Sequence, residues 1–411
     1  MPKNSETSNE FLKSPTAVGD SFYLAADTAR IKNVCMVLLS GPNMGGNEWK
    51  YVKDCLDTGW VSSVGAYVDQ FEKMTATFAG TRFAVATSSG TTALHIALIL
   101  AGVQTNDLVI TQNITFVATL NSIKYTGADP VLIDTETAGW QMDLDLLEKF
   151  LQQETEIKDN SCYHKTTGKR IPVIMPVHVL GNITDMDRLL QLAQQFHLTV
   201  IEDSTEALGS YYKGKHAGSM GLMGTFSYNG NKIITTGGGG MIVTDDEALA
   251  KRAKHLTTQA KSDPFEYMHD EVGYNYRLVN VAAAMGVAQM EQLPGFLEKK
   301  KHIIQFYTSA LQGVGDITFQ EVSPIVQPNW WMPTIRTQKQ RAVLDALNKD
   351  QLQSRPFWVP MNRLPMFKEN LYYHEGDRSG ELYSECLSIP CSTNITDADL
   401  ERVANKIKSV F

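Results

Sequence analysis

Between residues 83 and 246 the chain alternates short apolar runs with helix-period segments, and this alternation limits the fold more than any other feature of the sequence. FAVAT (83–87), DLVIT (107–111), PVLID (130–134), IPVIMPV (171–177), LTVIED (198–203) and MIVTDD (241–246) each read as a strand. Between them lie TALHIALILAG, where Ala93, Ile96, Ala97 and Leu100 recur at helical spacing, and the amphipathic MDRLLQLAQQFH (186–197). Strands that alternate with helices predict an α/β fold, a mostly parallel sheet with helices on both faces.

The chain has 411 residues, more than one hydrophobic core organises, since single cores stop growing near roughly 250 to 300 residues. Near 280 the pattern changes: VAAAMGVAQMEQL (281–293) and FLEKKKHIIQFYTSAL (296–311) read as two long helices, followed by a proline-punctuated section and a last helix in DADLERVANKIKSVF (397–411). The expected organisation is an N-terminal appendage over 1–33, with a surface helix in SFYLAADTARI, a large domain over 34–280 and a smaller α+β domain over 281–411. ETEIKDNSCYHKTTGKR (154–170) is polar and turn-rich and predicts an exposed loop.

Charge and cysteine usage exclude several classes. The net charge is −8, and EKKKH (298–302), the one short basic block, reads as a solvated helix face, which argues against nucleic acid as a partner. The first 20 residues lack the apolar core of a secretory signal, and no apolar run nears the roughly 18 residues that span a bilayer. A cytoplasmic protein with no membrane contact is expected. Five scattered cysteines (Cys35, Cys55, Cys162, Cys386, Cys391), with no CxxC pair and no histidine at zinc-ligand spacing, predict free thiols in a reducing compartment and no metal site.

Three short segments could carry chemistry. SSGTTALH (88–95) lies where a strand becomes a helix, so it reads either as a phosphate cradle at a helix N-terminus or as a plain Ser/Thr N-cap. Asp203 ends an apolar strand, on the edge where open α/β sheets bind ligands. Lys232 stands in FSYNGNKIITTGGGGMIVTDD (226–246), between a polar loop and four glycines. Pyridoxal 5′-phosphate needs what this order supplies: donors for its phosphate, an acid beside its pyridine nitrogen, and an amine for its carbonyl.

With that order, GNEWKYVKDCLDTGWVSSVG, VHVLGN, VIEDSTEALGSYYKGKHAGSMG and GYNYRLVNVAAAMG make the chain, from about residue 38 onward, resemble the DegT/DnrJ/EryC1/StrS sugar aminotransferases. The resemblance implies an aspartate aminotransferase-like fold (fold type I), with pyridoxal 5′-phosphate as cofactor and pyridoxamine 5′-phosphate as its aminated form. It assigns Lys232 to the cofactor's carbonyl, Asp203 to its pyridinium, Thr91, Thr92 and Ser227 to its phosphate, and Phe116 and Thr205 to the two ring faces. As a strand residue in ITFVA, Phe116 could equally be core. Glu206 stands where the family commonly has Gln or His, near the cofactor's phenolic oxygen, so it is either protonated there or turned toward substrate. Asn275 in GYNYRL would reach the cofactor phosphate of a partner subunit, making a homodimer with shared sites; a turn asparagine is the other reading.

Trp60 and Val61 in DTGWVSSVG, His178 in VHVLGN, Trp331 in NWWMP and Trp358 in RPFWVP are candidate substrate contacts. Packing is the preferred reading for His178, and His95, inside a helix, is expected to be structural. The resemblance further implies L-glutamate as amino donor and a nucleotide sugar as acceptor. DTGWVSSVG and SRPFWVPMNRLPMF look most like the subgroup that aminates UDP-4-keto-6-deoxy-N-acetylglucosamine on the way to bacillosamine or legionaminic acid type sugars. Two other readings are weighed: a sugar dehydratase of the same fold, which would carry histidine where Lys232 stands, and a non-catalytic regulatory protein that keeps the fold.

Overall fold

The sheet that organises the molecule has eight strands: β1 (Phe83–Thr87), β2 (Leu108–Gln112), β3 (Asp129–Ile133), β4 (Val173–Ile174), β5 (Thr199–Asp203), β6 (Met223–Ser227), β7 (Gly240–Thr244) and β8 (Leu371–Tyr373), in the order β1-β7-β6-β5-β4-β2-β3-β8. Every pair is parallel except the two that β7 makes, with β1 and β6. This computed structural model describes residues 36–263 and 265–411. The expected appendage, its SFYLAADTARI helix and Cys35 lie outside the described residues.

Side chains alternate across a strand, and here both faces are apolar. Val85, Val109, Val173, Ile201, Met223 and Ile242 point to one face, packed with α3 (Gly90–Leu100) and α7 (Glu247–Thr257). Ile110, Ile133, Ile174 and Val200 point to the other, covered by α5 (Leu144–Glu154) and α6 (Met186–Gln195), while Phe226, Met241 and Val243 on that face meet α2 (Ala66–Ala79) and α8 (Asn280–Ala310). Burial on both faces explains why these strands read as continuous apolar runs.

The fourth glycine of the GGGG run has a specific task. A Cβ on Gly240 would lie 2.2 Å from the Ser89 carbonyl oxygen and 2.7 Å from the Gly90 nitrogen, so only glycine lets β7 pass directly beneath the start of α3.

Two segments differ from expectation. Residues 154–170 are not a loop but most of a three-stranded antiparallel sheet, Thr155–Lys158, Ser161–His164 and Arg170–Ile171. Asp159 and Asn160 both adopt positive φ, as a two-residue hairpin turn requires, and Thr155, Cys162 and Ile171 are buried. The two helices expected over 281–311 are one, α8, which carries Pro294 inside it. Proline removes one intrahelical bond, but burial on both sides of the break, Val287, Met290 and Leu293 before it and Phe296, Ile303 and Tyr307 after, holds the helix together.

Past α8, Thr318–Phe319, Thr334–Arg336, Cys386–Ser388 and Arg355–Pro356 form a four-stranded antiparallel sheet, flanked by α9 (Gln340–Lys349) and α11 (Asp397–Lys408). One apolar cluster runs from Phe71 and Tyr228 beside the large sheet to Ile335, Leu387 and Leu400 here, and Val37–Phe411 is one compact unit. We propose that the boundary near 280 is one of architecture rather than of packing, because α8 serves both parts.

Candidate active site

At the carboxyl edge of the large sheet, the turn from β1 into α3 places Ser89 as N-cap. The Ser89 hydroxyl accepts the Thr92 N–H at 3.1 Å, and the Thr92 hydroxyl accepts the Ser89 N–H at 3.0 Å, a reciprocal capping box. Thr92 is therefore occupied with the helix itself, whereas Thr91 faces a cavity of about 350 Å³. The first-turn N–H groups of a helix not used by the cap favour an anion. Gly90 keeps that space open: a Cβ there would meet the Ser227 Cβ at 2.9 Å and the Thr205 methyl at 3.1 Å.

Asp203 ends β5 and is buried. Its carboxylate accepts the Thr119 hydroxyl at 2.7 Å on one oxygen and the Thr205 N–H at 3.2 Å on the other. Thr119 lies in the first turn of α4 (Ala118–Tyr125), and nothing in the sequence singled it out, since a threonine inside an apolar segment carries no signal of its own. That segment is not the strand ITFVA suggested: the chain turns after β2 and enters α4, leaving Phe116 55% exposed on the cavity wall.

Lys232 follows Asn231 in the loop between β6 and β7, and its amine lies 3.8 Å from the centre of the Trp331 ring. Protein surrounds the side chain except at the cavity mouth, so burial holds the amine below the ordinary lysine range, against the pull of the Glu206 and Asp203 carboxyls. Glu206 is buried, and its carboxyl accepts the Leu180 N–H at 2.8 Å. Burial pushes it up to about 7, the Asp203 charge adds to this, and Lys232 and the Leu180 N–H oppose it. Both shifts favour the same state, an uncharged amine beside an uncharged carboxyl.

Thr91, Phe116, Thr205, Glu206, Ser227, Lys232, Trp331 and Trp358 thus line one cavity, with Asp203 directly behind Thr205. Arg355, from RPFWVP, lines it too and was not singled out from the sequence. The Trp358 ring stacks on Phe357 and lies 6.5 Å from Trp331, which makes an aromatic wall opposite the helix start. Besides Thr92, which is turned to the helix cap, four predicted residues lie outside the cavity lining. His178 is fully buried, its Nε2 2.9 Å from Glu202, and does not line the cavity, as the packing reading expects. Trp60 (57% exposed) and Val61 (43%) follow α1 (Glu48–Thr58) on the surface, outside the cavity lining. Asn275 is exposed, its backbone bridged to Thr258, and does not line this chain's cavity.

The residues fit pyridoxal phosphate. Hydroxyls at Thr91 and Ser227 with the start of α3 suit a phosphate, Asp203 suits a pyridinium, Phe116 and Thr205 suit the faces of a flat ring, and a buried amine with a depressed proton affinity suits its carbonyl. A shallower depression of about 470 Å³ at the amino ends of the strands is lined by Arg82, Asp245, Asp246 and Glu247 and offers no such set.

Comparison with known proteins agrees with this chemistry. The model of the DegT/DnrJ/EryC1/StrS aminotransferase family matches residues 42–408. GDP-perosamine synthase of Caulobacter vibrioides is 36% identical over 388 residues, covering 91% of this chain and 98% of that protein. Among solved structures, S. venezuelae DesV superposes with a TM-score of 0.79 at 26% identity, over 88% of this chain and 94% of that one. The PLP form of Streptococcus pneumoniae Spr1654 reaches a TM-score of 0.82 at 24% identity, over 92% and 98%, a likeness of fold. The chain belongs to the DegT/DnrJ/EryC1/StrS aminotransferase family and is a sugar aminotransferase that uses pyridoxal 5′-phosphate.

Proposed function

We propose that this aminotransferase moves an amino group from L-glutamate to a nucleotide-linked keto sugar, with UDP-4-keto-6-deoxy-N-acetylglucosamine as the acceptor that DTGWVSSVG and SRPFWVPMNRLPMF favour. The observation that carries the reading is the Lys232 amine, 3.8 Å from the centre of the Trp331 ring in an aromatic-walled cavity that Glu206 also lines, with burial lowering its proton affinity. Pyridoxal phosphate, when bound, supplies a carbonyl that captures amines and a ring that stores the electron pair left when a neighbouring carbon loses its proton. The chain's own residues do the rest. Lys232, with its proton affinity lowered, is suited to take the proton from the donor's α-carbon and deliver it again. Asp203, fixed by Thr119 and Thr205, keeps a carboxylate directed at the ring position, and Glu206 holds a proton beside the amine. Trp331, Phe357 and Trp358 exclude water.

The relative in Caulobacter vibrioides favours a second acceptor, a GDP-linked sugar. Incubation with L-[¹⁵N]glutamate and a panel of UDP- and GDP-linked 4-keto and 3-keto sugars, read by mass spectrometry, decides: label is expected in the UDP-linked 4-keto sugar. Label only in a GDP-linked sugar overturns the acceptor, and label in no sugar overturns the function.

The working unit in this proposal is a homodimer whose partner brings Asn275 to the cofactor phosphate. Asn275 is exposed and does not line its own cavity, and Trp49, Val64, Phe265 and Val272 leave large apolar side chains in solvent on a single chain.

A further inference from the structure

Lys300, in the second half of α8, is 1% exposed, so the EKKKH block expected to be a solvated face turns one lysine inward. Its ammonium donates to the Trp331 carbonyl and to the Cys391 carbonyl, each at 2.7 Å, and lies 3.4 Å from the Cys391 sulfur. An apolar side chain of similar length would fill the same space without the cost of desolvating a charge. The ammonium is therefore spent on geometry, on fixing two carbonyls that a methionine could not hold.

One of those carbonyls, on Trp331, belongs to the cavity wall, and the other stands directly behind it. Cys391 donates its N–H to the Leu39 carbonyl at 2.6 Å, and Leu39 lines the cavity. Trp331 is clamped along its whole length: its N–H donates to Asn329 at 2.9 Å, its indole N–H donates to the Asn231 carbonyl at 2.8 Å, and its own carbonyl accepts from Lys300. Asn231 immediately precedes Lys232. Trp330, just before this clamp, has φ of 54°, a left-handed conformation that a bulky residue adopts only where its surroundings over-determine it. The Lys300 bond one residue on is one of the contacts that do so.

We propose that Lys300 is a positioning residue for the reaction: through the Trp331 carbonyl it holds the face of the Trp331 ring against the Lys232 amine. The inference rests on the reading of Lys232 as the reactive amine. An aromatic face attracts an ammonium, so the clamped ring works with the Glu206 and Asp203 carboxyls in favour of the protonated amine, against burial. Arg355 is the other cationic side chain on the same cavity lining. Lys300→Met also removes a buried cation, which by itself would raise the Lys232 midpoint, so a fall in the midpoint is the signature of the displaced ring.

The test is competitive acylation of the cofactor-free protein across pH, with the label on the Lys232 peptide quantified by mass spectrometry. Lys300→Met is expected to lower the Lys232 midpoint by roughly half a pH unit to one unit, and Lys300→Arg, which keeps a cationic donor, to return most of the shift. A folded Lys300→Met protein with the wild-type midpoint, or a Lys300→Arg protein shifted as far as Lys300→Met, overturns the proposal. Should Lys300→Met not fold, Trp331→Leu removes the ring directly, and an unchanged midpoint there overturns it equally. Because no cofactor is present, the outcome is separate from whether Lys232 carries one, which reduction of the holoenzyme decides on its own.

Discussion

Glu206 holds its proton far more tightly in the fold than in the open chain. Its folded value is raised from 4.5 to about 7, so its contribution to stability is fully present below about 4.5 and is lost as pH rises through about 7. Glutamine cannot ionise. The stability of cofactor-free Glu206→Gln relative to wild type is therefore expected to rise between pH 4.5 and 8, by on the order of 1 to 3 kcal/mol. Because Glu206→Gln would also remove one of the carboxyls that act on Lys232, the comparison is made with Lys232→Met in both proteins. Thermal melts across that range check it, and a difference independent of pH contradicts it. At this scale, what the sequence made legible was chemical demand. Lys232, Asp203 and Ser227 could be singled out because an imine needs an amine, a pyridinium an acid and a phosphate hydrogen-bond donors, and the fold brings Lys232 and Ser227 to one cavity with Asp203 behind it. Thr119 could not, because its task is to orient Asp203 and many residues share its pattern. His178 reads the same whether it packs or binds, and only its bond to Glu202 distinguishes the two.

The start of α3 and the start of β7 are the elements on which the cofactor site depends. Gly240→Ala would drive a Cβ against backbone atoms of Ser89 and Gly90, which cannot rotate away as a side chain can. The expected result is a lower melting temperature together with cofactor affinity weakened by roughly tenfold or more, since about 1.4 kcal/mol lost at the phosphate cradle is a factor of ten. Ser89→Ala, by contrast, removes the cap hydroxyl and should cost about 1 kcal/mol of stability. Absorbance titration with pyridoxal phosphate and thermal melts measure both, and wild-type affinity in Gly240→Ala contradicts the cradle. The strands of the large sheet were legible because burial on two faces leaves an unbroken apolar run. The hairpin over 155–171 was not, since Asp159 and Asn160 look alike in a turn and in a loop. Nor was the continuity of α8, because Pro294–Gly295 carries the local signal of a helix end and only tertiary burial on both sides overrides it.

Across the whole molecule, Asn275, the donor proposed for a partner's site, is exposed on the single chain, and so are large apolar side chains, with Phe265 at 86% and Val272 at 83%. If two copies close over each other's cofactor phosphate, Asn275→Ala should bind cofactor more weakly. Mixing it with Lys232→Ala should restore activity at the one site per heterodimer that combines an intact lysine with an intact asparagine. Mixed dimers no more active than their parents, or a wild type that sediments as an active monomer, contradict shared sites. Such an arrangement is legible in one sequence only through resemblance, because a residue that serves the partner looks idle in its own chain. The claim on which the rest depends is that Lys232 carries the cofactor, and reduction of the holoenzyme with borohydride, followed by peptide mapping, tests it most directly. The cofactor's mass is expected on the peptide containing Lys232 and on no other; its appearance on a different lysine, or on none while amine transfer proceeds, would contradict the account.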